Sequence, residues 1–422
     1  MKNQRCRNCG NELAYTFADL GASPLCNEII KPKELNKGQQ SYPLHAYVCD
    51  ECFLVQVGTS INPEEIYAEY SYFSSYSDSW LEHAERYVEM MIEDYEISQS
   101  SFVTEIASND GYLLQYFEER KIPILGVEPS HTVARAANQK GIPTEEVFFG
   151  EKTAHDLVNK YTRADLILGN NVLAHVPRIH DFVKGLGIML HEKGIMTFEF
   201  PHLLQLVENN QFDTIYHEHF FYYSFHAVQT IFKNHGFKIF DVQQLPTHGG
   251  SIRIFVSRAA NKKYKLSRRV KKMLAVEKEK GYLDIAFYTR FEENVKKTKR
   301  DLLTLLTKLK NNGKSIVGYG APGKGNTLLN YCGIGTDFLD YTVDRSPHKQ
   351  GHFLPGSLIP IQHPDKIRET EPDYVLILPW NLKNEIMSQM NGVEEWGAKF
   401  IVPIPRPKIV SPRKQKLQEV SQ

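Results

Sequence analysis

The chain has 422 residues, which is too long for one ordinary core and predicts about three domains. Lys plus Arg and Asp plus Glu both total 50, so no net charge favours nucleic acid or an anionic membrane, and small molecules are the expected partners. No apolar run approaches the about 20 residues that span a bilayer, and the start lacks the apolar core of a signal peptide, so a cytoplasmic protein is predicted.

The first predicted module is a small metal site. Cys6 and Cys9 form one C-x2-C pair, and Cys49 and Cys52 form a second pair about forty residues later. In a reducing compartment this spacing indicates metal ligation rather than disulfides. Four thiolates close the shell around Zn²⁺, so the predicted zinc is structural and leaves no position for substrate. Cys26 is interpreted as a small buried hydrophobe, with a contact to the site as the less favoured alternative.

A tyrosine-rich connector follows, and then a predicted helix over 78–95. The connector spans 66–76 and contains four tyrosines, Tyr70 and Tyr76 among them. Tyrosine has a flat face and a phenolic donor, so this segment could close over a ligand. Packing of a hinge against a neighbouring domain is the alternative.

An α/β pattern begins at residue 102. A buried strand over 102–107 leads into the polar turn 108–111 and a helix, and a second strand over 124–127 ends in Glu128. Later strands are predicted over 165–169 and 194–201. Ligands bind at the carboxyl ends of parallel strands, and an acid after the second strand suits the hydroxyls of a ribose. The turn lacks the G-x-G-x-x-G that approaches a pyrophosphate, so Asp110 and Gly111 fit S-adenosylmethionine better than a dinucleotide.

Residues 216–224 read YHEHFFYYS and combine two imidazoles, a carboxylate and five aromatic rings. In a strand, His217 and His219 would share one side and Tyr216 and Glu218 the other, whereas a turn would allow all four to converge. Histidine titrates near neutrality, so His219 or His217 is a candidate general base with Glu218 as its orienter. The alternative is a half-buried aromatic strand with structural histidines.

The C-terminal third carries a second glycine turn. A long Lys/Glu-rich helical stretch over 264–311 is followed by a strand and a literal G-x-G-x-x-G at 318–323. A helix is predicted next, and Asp344 ends a strand about twenty residues beyond, which is the dinucleotide fingerprint. An NAD(P)-dependent oxidoreductase is therefore an alternative function, and with the family resemblance given below its substrate would be a nucleotide sugar.

Several motifs together resemble the nucleotide-sugar C-methyltransferases of deoxysugar biosynthesis. They are EIASNDG at 105–111, GVEPS at 126–130, NNVLAHV at 170–176, YHEHF at 216–220, HGGSIRIF at 248–255 and GYGAPGKGNTLLNYCGI at 318–334. The resemblance implies an α/β protein with a zinc-binding domain (1–65), a class I (Rossmann-like) methyltransferase domain (66–260), a helical connector (261–310) and a C-terminal Rossmann-like substrate-binding domain (311–412). It also implies S-adenosylmethionine-dependent C-methylation next to the ketone of a 4-keto-deoxysugar nucleotide, at C-3.

The resemblance also implies roles for the residues that match its motifs. The catalytic residues would be His219 as base with Tyr216, Glu218 and His175. The cofactor-binding residues would be Glu105, Ser108, Asp110, Gly111, Glu128, Asn170 and Asn171. The substrate-binding residues would be Tyr70, Tyr76, His248, Arg253, Lys324 and Asn326, with Lys324 as a point charge for the diphosphate. A zinc-ribbon RNA methyltransferase is a third reading, which the neutral charge disfavours. No obligatory protein partner is evident, and a monomer is expected.

Overall fold

A computed structural model describes residues 4–58, 61, 62, 64 and 73–412. Within these residues, no helix has the length and apolar character required to cross a membrane. The strands are β1 (Tyr15–Ser23), β2 (Tyr42–Val48), β3 (Val55–Val57), β4 (Val103–Ile106), β5 (Ile124–Val127), β6 (Thr144–Glu145), β7 (Ala164–Asn170), β8 (Leu190–Pro201), β9 (Phe221–Tyr222), β10 (Phe237–Leu245), β11 (Ser251–Arg258), β12 (Ile316–Tyr319), β13 (Thr342–Val343), β14 (Ile361–Gln362), β15 (Tyr374–Ile377), β16 (Lys399–Val402) and β17 (Lys408–Val410).

The α-helices of the described residues follow the same numbering along the chain. They are α1 (Asp78–Tyr95), α2 (Leu114–Glu118), α3 (His131–Gln139), α4 (Glu151–Lys160), α5 (Ile179–Met189), α6 (Leu203–Glu208), α7 (Phe225–Asn234), α8 (Arg268–Glu279), α9 (Ile285–Thr289), α10 (Phe291–Asn311), α11 (Gly323–Cys332), α12 (Lys366–Thr370) and α13 (Lys383–Gln389). The contacts divide the chain into two compact units. The first comprises 1–15, 47–204 and 218–288, and the second comprises 16–46, 205–217 and 289–422.

The first unit is built on a seven-stranded sheet with the order β10-β11-β8-β7-β4-β5-β6. The five neighbouring strands β6, β5, β4, β7 and β8 are parallel, whereas β11 runs antiparallel to both β8 and β10. Short runs of buried aliphatic residues, such as Leu166–Leu168 in β7, form the central strands because helices cover both faces of a parallel sheet. The carboxyl ends of β4, β5 and β7 therefore lie along one edge, where the predicted cofactor residues follow them.

Helix α1 of the first unit has the predicted bounds. Its buried residues, Ala84, Tyr87, Val88 and Met91, recur at helical spacing and form one apolar face. The helix ends where Glu96 adopts a left-handed conformation with φ of 60°. This packing places Trp80 in the first turn of α1 and His83 in the second, where His83 contacts Glu199 near the carboxyl end of β8.

The second unit contains a six-stranded sheet with the order β14-β13-β12-β15-β16-β17. All neighbouring strands are parallel except β17, which is antiparallel to β16. The order reverses between β12 and β15, which is the switch point of a Rossmann-like sheet. The predicted α/β fold, with a class I methyltransferase domain and a C-terminal Rossmann-like domain, is confirmed.

The region 264–311, predicted as one long helical stretch, contains three helices. It consists of α8, α9 and α10, and the breaks fall after Glu279 and at Arg290. The first break contains Gly281, whose φ of +94° suits a residue without a Cβ, and Tyr282, which is fully buried. The predicted domain boundaries stay a prediction, and the contacts additionally group residues 16–46 with the second unit.

Candidate functional site

The four predicted zinc ligands come together at two similar turns. The sulfurs of Cys6 and Cys52 are 3.6 Å apart, those of Cys9 and Cys49 are 3.4 Å apart, and all four lie within 4.8 Å of one another. In each pair, the residue after the second cysteine donates its amide to the carbonyl of the first, at 2.9 Å. That residue is left-handed in both turns, with φ of 78° at Gly10 and 54° at Phe53.

This cluster fits Zn²⁺. Tetrahedral thiolate ligands at about 2.3 Å from the metal lie about 3.8 Å from each other, close to the sulfur separations here. The fully buried Gln56 donates from Nε2 to the Cys6 sulfur at 3.1 Å, and its Oε1 accepts from the Arg7 amide at 3.0 Å. Such outer hydrogen bonds orient metal ligands. Cys26 is buried and is not a member of the cluster.

The turn after β4 adopts a backbone that few side chains tolerate. Ala107, Asn109 and Gly111 have φ of 57°, 52° and 77°. A Cβ on Gly111 would lie 2.9 Å from the Ile142 side chain, so glycine is required there for space as well as for conformation. Strained backbone of this kind concentrates at ligand sites.

Glu128 closes this turn from the neighbouring strand. Its two carboxylate oxygens accept hydrogen bonds from the amides of Asn109, at 3.0 Å, and Ser130, at 2.9 Å. Burial raises the pKa of Glu128 to about 7, although the two amide hydrogen bonds oppose this shift. Each oxygen keeps a second lone pair, so the carboxylate can still accept from a pair of ribose hydroxyls.

Several buried polar atoms around the turn have no hydrogen-bond partner among the described residues. They are both oxygens of Glu105, Oγ of Ser108 and Oδ1 of Asp110. The other oxygen of Asp110 accepts from Lys140 Nζ at 2.8 Å and from the Ser75 hydroxyl. Burial, together with the nearby Glu128 and Asp110, raises the pKa of Glu105 well above its ordinary value. Unpaired buried acceptors are costly and fit a ligand that brings hydrogen-bond donors and positive charge, as S-adenosylmethionine does.

Asn170 and Asn171 continue this edge of the sheet at the end of β7. The Asn170 amide donates to the Tyr112 hydroxyl at 3.3 Å, and Asn171 Nδ2 lies 3.1 Å from Nε2 of His248. Asn171 and His248 are both left-handed, with φ of 56° and 53°. Trp80 contacts both groups: its ring centroid is 6.0 Å from that of Tyr112 and 5.2 Å from that of His248.

The YHEH motif forms a turn rather than a strand. His219 faces His175 with ring centroids 4.7 Å apart and planes at 83°, and the Tyr222 ring lies 6.1 Å from His219. Burial lowers the pKa of His175 to about 4, so this imidazole is neutral at pH 7. The two titratable rings thus meet edge to face, and His175 brings the pair close in sequence to Asn170 and Asn171.

The other members of the motif have different surroundings. His217 is buried in the second unit, where its Nε2 lies 3.1 Å from the Tyr42 carbonyl, and burial lowers its pKa. This environment suits a structural histidine better than a base. Glu218 is buried and Tyr216 is half-buried.

Sequence reasoning missed a buried charge network beside this edge. Glu199 Oε2 lies 2.8 Å from His83 Nε2 and 2.7 Å from Arg253 Nη2, and its Oε1 accepts from the Thr247 hydroxyl at 2.7 Å. Burial opposes the ionisation of Glu199, but these partners hold its pKa at about 2. Arg253, predicted to bind substrate, is thus engaged inside the protein, and its substrate role stays a prediction. An acid within a buried strand was the available signal.

The second glycine turn, at 318–323, is closely packed by other residues of the protein. Both oxygens of Asp344 accept backbone amides, those of Ala321 and Ser346, at 2.8 Å each. A Cβ on Gly323 would lie 2.9 Å from the Cys26 sulfur, and Asn326 donates to the Cys26 carbonyl at 2.6 Å. Asp344 thus holds its turn through two backbone amides, as Glu128 does, and the feature particular to the second turn is the Cys26 sulfur packed against Gly323.

Two predicted substrate residues lie in the tyrosine-rich segment. Tyr70 lies outside the described residues. Tyr76 is 67% exposed and its ring stacks on Phe73, with centroids 5.4 Å apart. The proposed closure over a ligand stays a prediction.

The strand order of the first unit, with antiparallel β11 inserted between β8 and β10, defines a class I methyltransferase domain, here accompanied by a four-cysteine metal site. Family models agree along the chain. A zinc binding domain matches residues 6–67, a methyltransferase domain matches 81–242 and a C-methyltransferase C-terminal domain matches 246–405.

The chain is also 33% identical to the C-methyltransferase NovU of Streptomyces niveus over 406 residues, which is 96% of each protein. The chain therefore belongs to the C-methyltransferase family and is an S-adenosylmethionine-dependent, zinc-binding enzyme.

Solved methyltransferase structures resemble the chain only weakly. Magnesium protoporphyrin IX methyltransferase from Synechocystis PCC 6803 with bound SAH is 13% identical, covers 46% of this chain and 91% of its own, and has a TM-score of 0.34. A SAM-dependent methyltransferase from Anabaena variabilis is 12% identical, with coverages of 42% and 84% and a TM-score of 0.35. Similarity at this level adds nothing to the strand order and the family matches.

Proposed function

We propose that this enzyme methylates the carbon next to the ketone of a nucleotide-linked 4-keto-deoxysugar, at C-3, with His219 as the general base. The observation that carries the proposal is the His175–His219 pair, with centroids 4.7 Å apart, which follows the predicted cofactor residues of β7. The motif resemblance supports the sugar substrate, and the relative named C-methyltransferase supports carbon as the acceptor.

A base is required because a carbon atom becomes nucleophilic only after the adjacent ketone has allowed it to lose a proton. His219 takes this proton, and the electron pair of the broken C–H bond becomes the enolate. Imidazole suits this step because its pKa lies near neutral pH. When bound, S-adenosylmethionine supplies a methyl carbon on a positively charged sulfur, which leaves with the bonding electrons as the new C–C bond forms.

The neutral ring of His175 complements this role. With its pKa lowered to about 4, His175 carries no charge that would oppose formation of the imidazolium on His219. One of its ring nitrogens still carries a hydrogen and can donate to the enolate oxygen. By the motif resemblance, Tyr216 is a further catalytic residue. A donor aimed at the developing oxyanion contributes about 2.7–4 kcal/mol to catalysis in comparable sites.

The test compares His219→Asn with the wild type on a panel of 4-keto sugar nucleotides. We expect methyl transfer, followed by mass, to fall about a hundred- to ten-thousandfold. Exchange of the substrate C–H proton with deuterated solvent should fall in parallel, because both processes need the same base. Binding of S-adenosylmethionine should not change, since His219 does not act on the cofactor.

The matched control is His191→Asn, because His191 is an exposed histidine 3.7 Å from Asp165 and away from the candidate site. This variant should keep wild-type activity. A folded His219→Asn enzyme that methylates at close to the wild-type rate would reject His219 as the base. A wild-type enzyme that turns over none of the keto sugars would reject the substrate class.

A further inference from the structure

A buried carboxylate stands three residues before Tyr216, in a part of the chain to which the sequence assigned no function. Asp213 is fully buried in the second unit, and its Oδ2 accepts from the Trp380 indole nitrogen at 2.6 Å. Its Oδ1 has no hydrogen-bond partner among the described residues. A buried carboxylate is costly unless nearby groups compensate it, so its retention calls for an explanation.

Lys324 supplies the compensating charge. Its Nζ lies 4.8 Å from the centroid of the Trp380 ring and donates to Asn381 Oδ1 at 2.8 Å. Burial lowers the pKa of Lys324, and the neighbouring Asp213 counteracts this shift. The same indole thus contacts the lysine through its face and the aspartate through its N–H.

The segment that carries Asp213 is held on the second unit from several sides. Residues 212–214 form one 3-10 turn, in which the Ile215 amide donates to the Phe212 carbonyl at 2.9 Å. The Phe212 ring lies edge-on to Tyr331 of α11 at 5.4 Å. Asn210 donates to the Thr298 hydroxyl of α10 at 2.7 Å. The anchored turn ends directly before Tyr216.

We propose that Asp213, Trp380 and Lys324 form a positioning cluster that sets the placement of Tyr216. This inference rests on the proposed function, because Tyr216 is one of its predicted catalytic residues. It also gives Lys324 a role other than the predicted contact with the substrate diphosphate. The negative charge of Asp213 near Lys324 would repel a diphosphate. The contact of Lys324 Nζ with the Trp380 ring, by contrast, depends on the observed position of the lysine.

Stability alone is a poor explanation of this cluster. A buried ion pair is often no more stabilising than well-packed apolar residues of similar volume, and its retention points to a geometric requirement. Misplacement of a reacting group by about 1 Å costs about a hundredfold in rate. A cluster that fixes the position of one turn therefore affects catalysis more than it affects folding.

The experiment uses the full-length enzyme and the variants Trp380→Phe, Lys324→Met, Asp213→Ala and Asp213→Asn. The control is Trp396→Phe, because Trp396 also donates its indole N–H within the second unit, to the Pro372 carbonyl at 3.1 Å. We expect Trp380→Phe, Lys324→Met and Asp213→Ala to lower kcat about ten- to a hundredfold, with the KM for the sugar nucleotide within about threefold of wild type. Asp213→Asn keeps an acceptor for Trp380 and should recover part of the loss.

A second measurement does not depend on catalysis. Hydrogen exchange of the amides at 212–216 should become faster in Trp380→Phe and stay unchanged in Trp396→Phe. This result separates the two hypotheses. If His219→Asn is fully active, the assigned base is wrong while the exchange result still supports the cluster.

Two results would overturn the cluster. In the first, Trp380→Phe matches Trp396→Phe in both kcat and hydrogen exchange. In the second, Lys324→Met raises the KM for the sugar nucleotide at least tenfold with an unchanged kcat, which would show that Lys324 contacts the substrate.

Discussion

The turn after β4 and the turn after β12 each join a strand to a helix, but their structures rank them as ligand sites in the reverse of the order that their glycine patterns suggest. The turn after β12 reads G-x-G-x-x-G and has the acid Asp344 after the next strand, yet a Cβ on its Gly323 would lie only 2.9 Å from the Cys26 sulfur. The turn after β4 has one glycine, Gly111, yet leaves buried oxygens of Glu105 and Asp110 without partners among the described residues. Unpaired buried acceptors are thus more numerous around the turn after β4 than at the start of α11, where Asn326 Oδ1 has no partner among the described residues, and this supports our prediction that the cofactor binds after β4.

The acids that follow the second strand of each sheet give the most direct test of this comparison. Glu128→Ala should weaken S-adenosylmethionine binding about ten- to a hundredfold, because a hydrogen bond to a charged group contributes about 1.5–3 kcal/mol. Asp344→Ala is the matched control and should leave this affinity unchanged. Calorimetry on both variants provides the measurement, and equal losses in the two would show that the turns do not differ as described.

Ligand-induced stabilisation tests which turn binds a nucleotide cofactor. At a hundredfold excess over its Kd, S-adenosylmethionine should stabilise the folded protein by about 2.7 kcal/mol and raise the Tm. NAD(P) should leave the Tm unchanged, since the Cys26 sulfur packs against Gly323 in the turn that a pyrophosphate would have to approach. Thermal unfolding with each ligand distinguishes these cases. A rise with NAD(P) would restore the oxidoreductase alternative.

The pH dependence of cofactor binding should report on Glu128. Its pKa of about 7 means that the carboxylate is mostly protonated at pH 6 and mostly ionised at pH 8. Ribose hydroxyls donate to the ionised form, so affinity should increase about tenfold between these pH values. Without ligand the sign is reversed: the folded state holds a proton that the unfolded chain releases, so the free energy of unfolding falls as pH rises from 4.5 to about 7.

Glu128→Gln is the control for this titration, because it cannot ionise. Its affinity for S-adenosylmethionine should be nearly constant over the same pH range. A pH dependence identical to that of the wild type would assign the titration to another group.

The smallest expected effect concerns the cap of the second turn. Asp344→Asn replaces one of the two side-chain oxygens that accept backbone amides, and it should lower the free energy of unfolding by about 1 kcal/mol. Cofactor affinity and the KM for the sugar nucleotide should not change. Denaturant unfolding and steady-state kinetics provide the measurements. A large rise in that KM with unchanged stability would place substrate at this acid.

The sequence alone determined the features that depend on local spacing. The C-x2-C pairs predicted the cysteine cluster, apolar runs bounded by polar turns predicted β4, β5 and β7, and the helix-like segment 78–95 predicted α1. These predictions succeeded because ligand spacing, strand composition and helical period are properties of neighbouring residues. The motif resemblance added the class of enzyme.

Only the tertiary structure decided which side chains meet. The pairing of His175 with His219 joins residues 44 positions apart, and Glu199 meets His83 across 116 positions. Local pattern contains no information on such contacts, because they depend on how the sheets and helices pack. The same reason explains the second glycine turn: its motif is intact, but Cys26 reaches it from a distant segment and packs against Gly323.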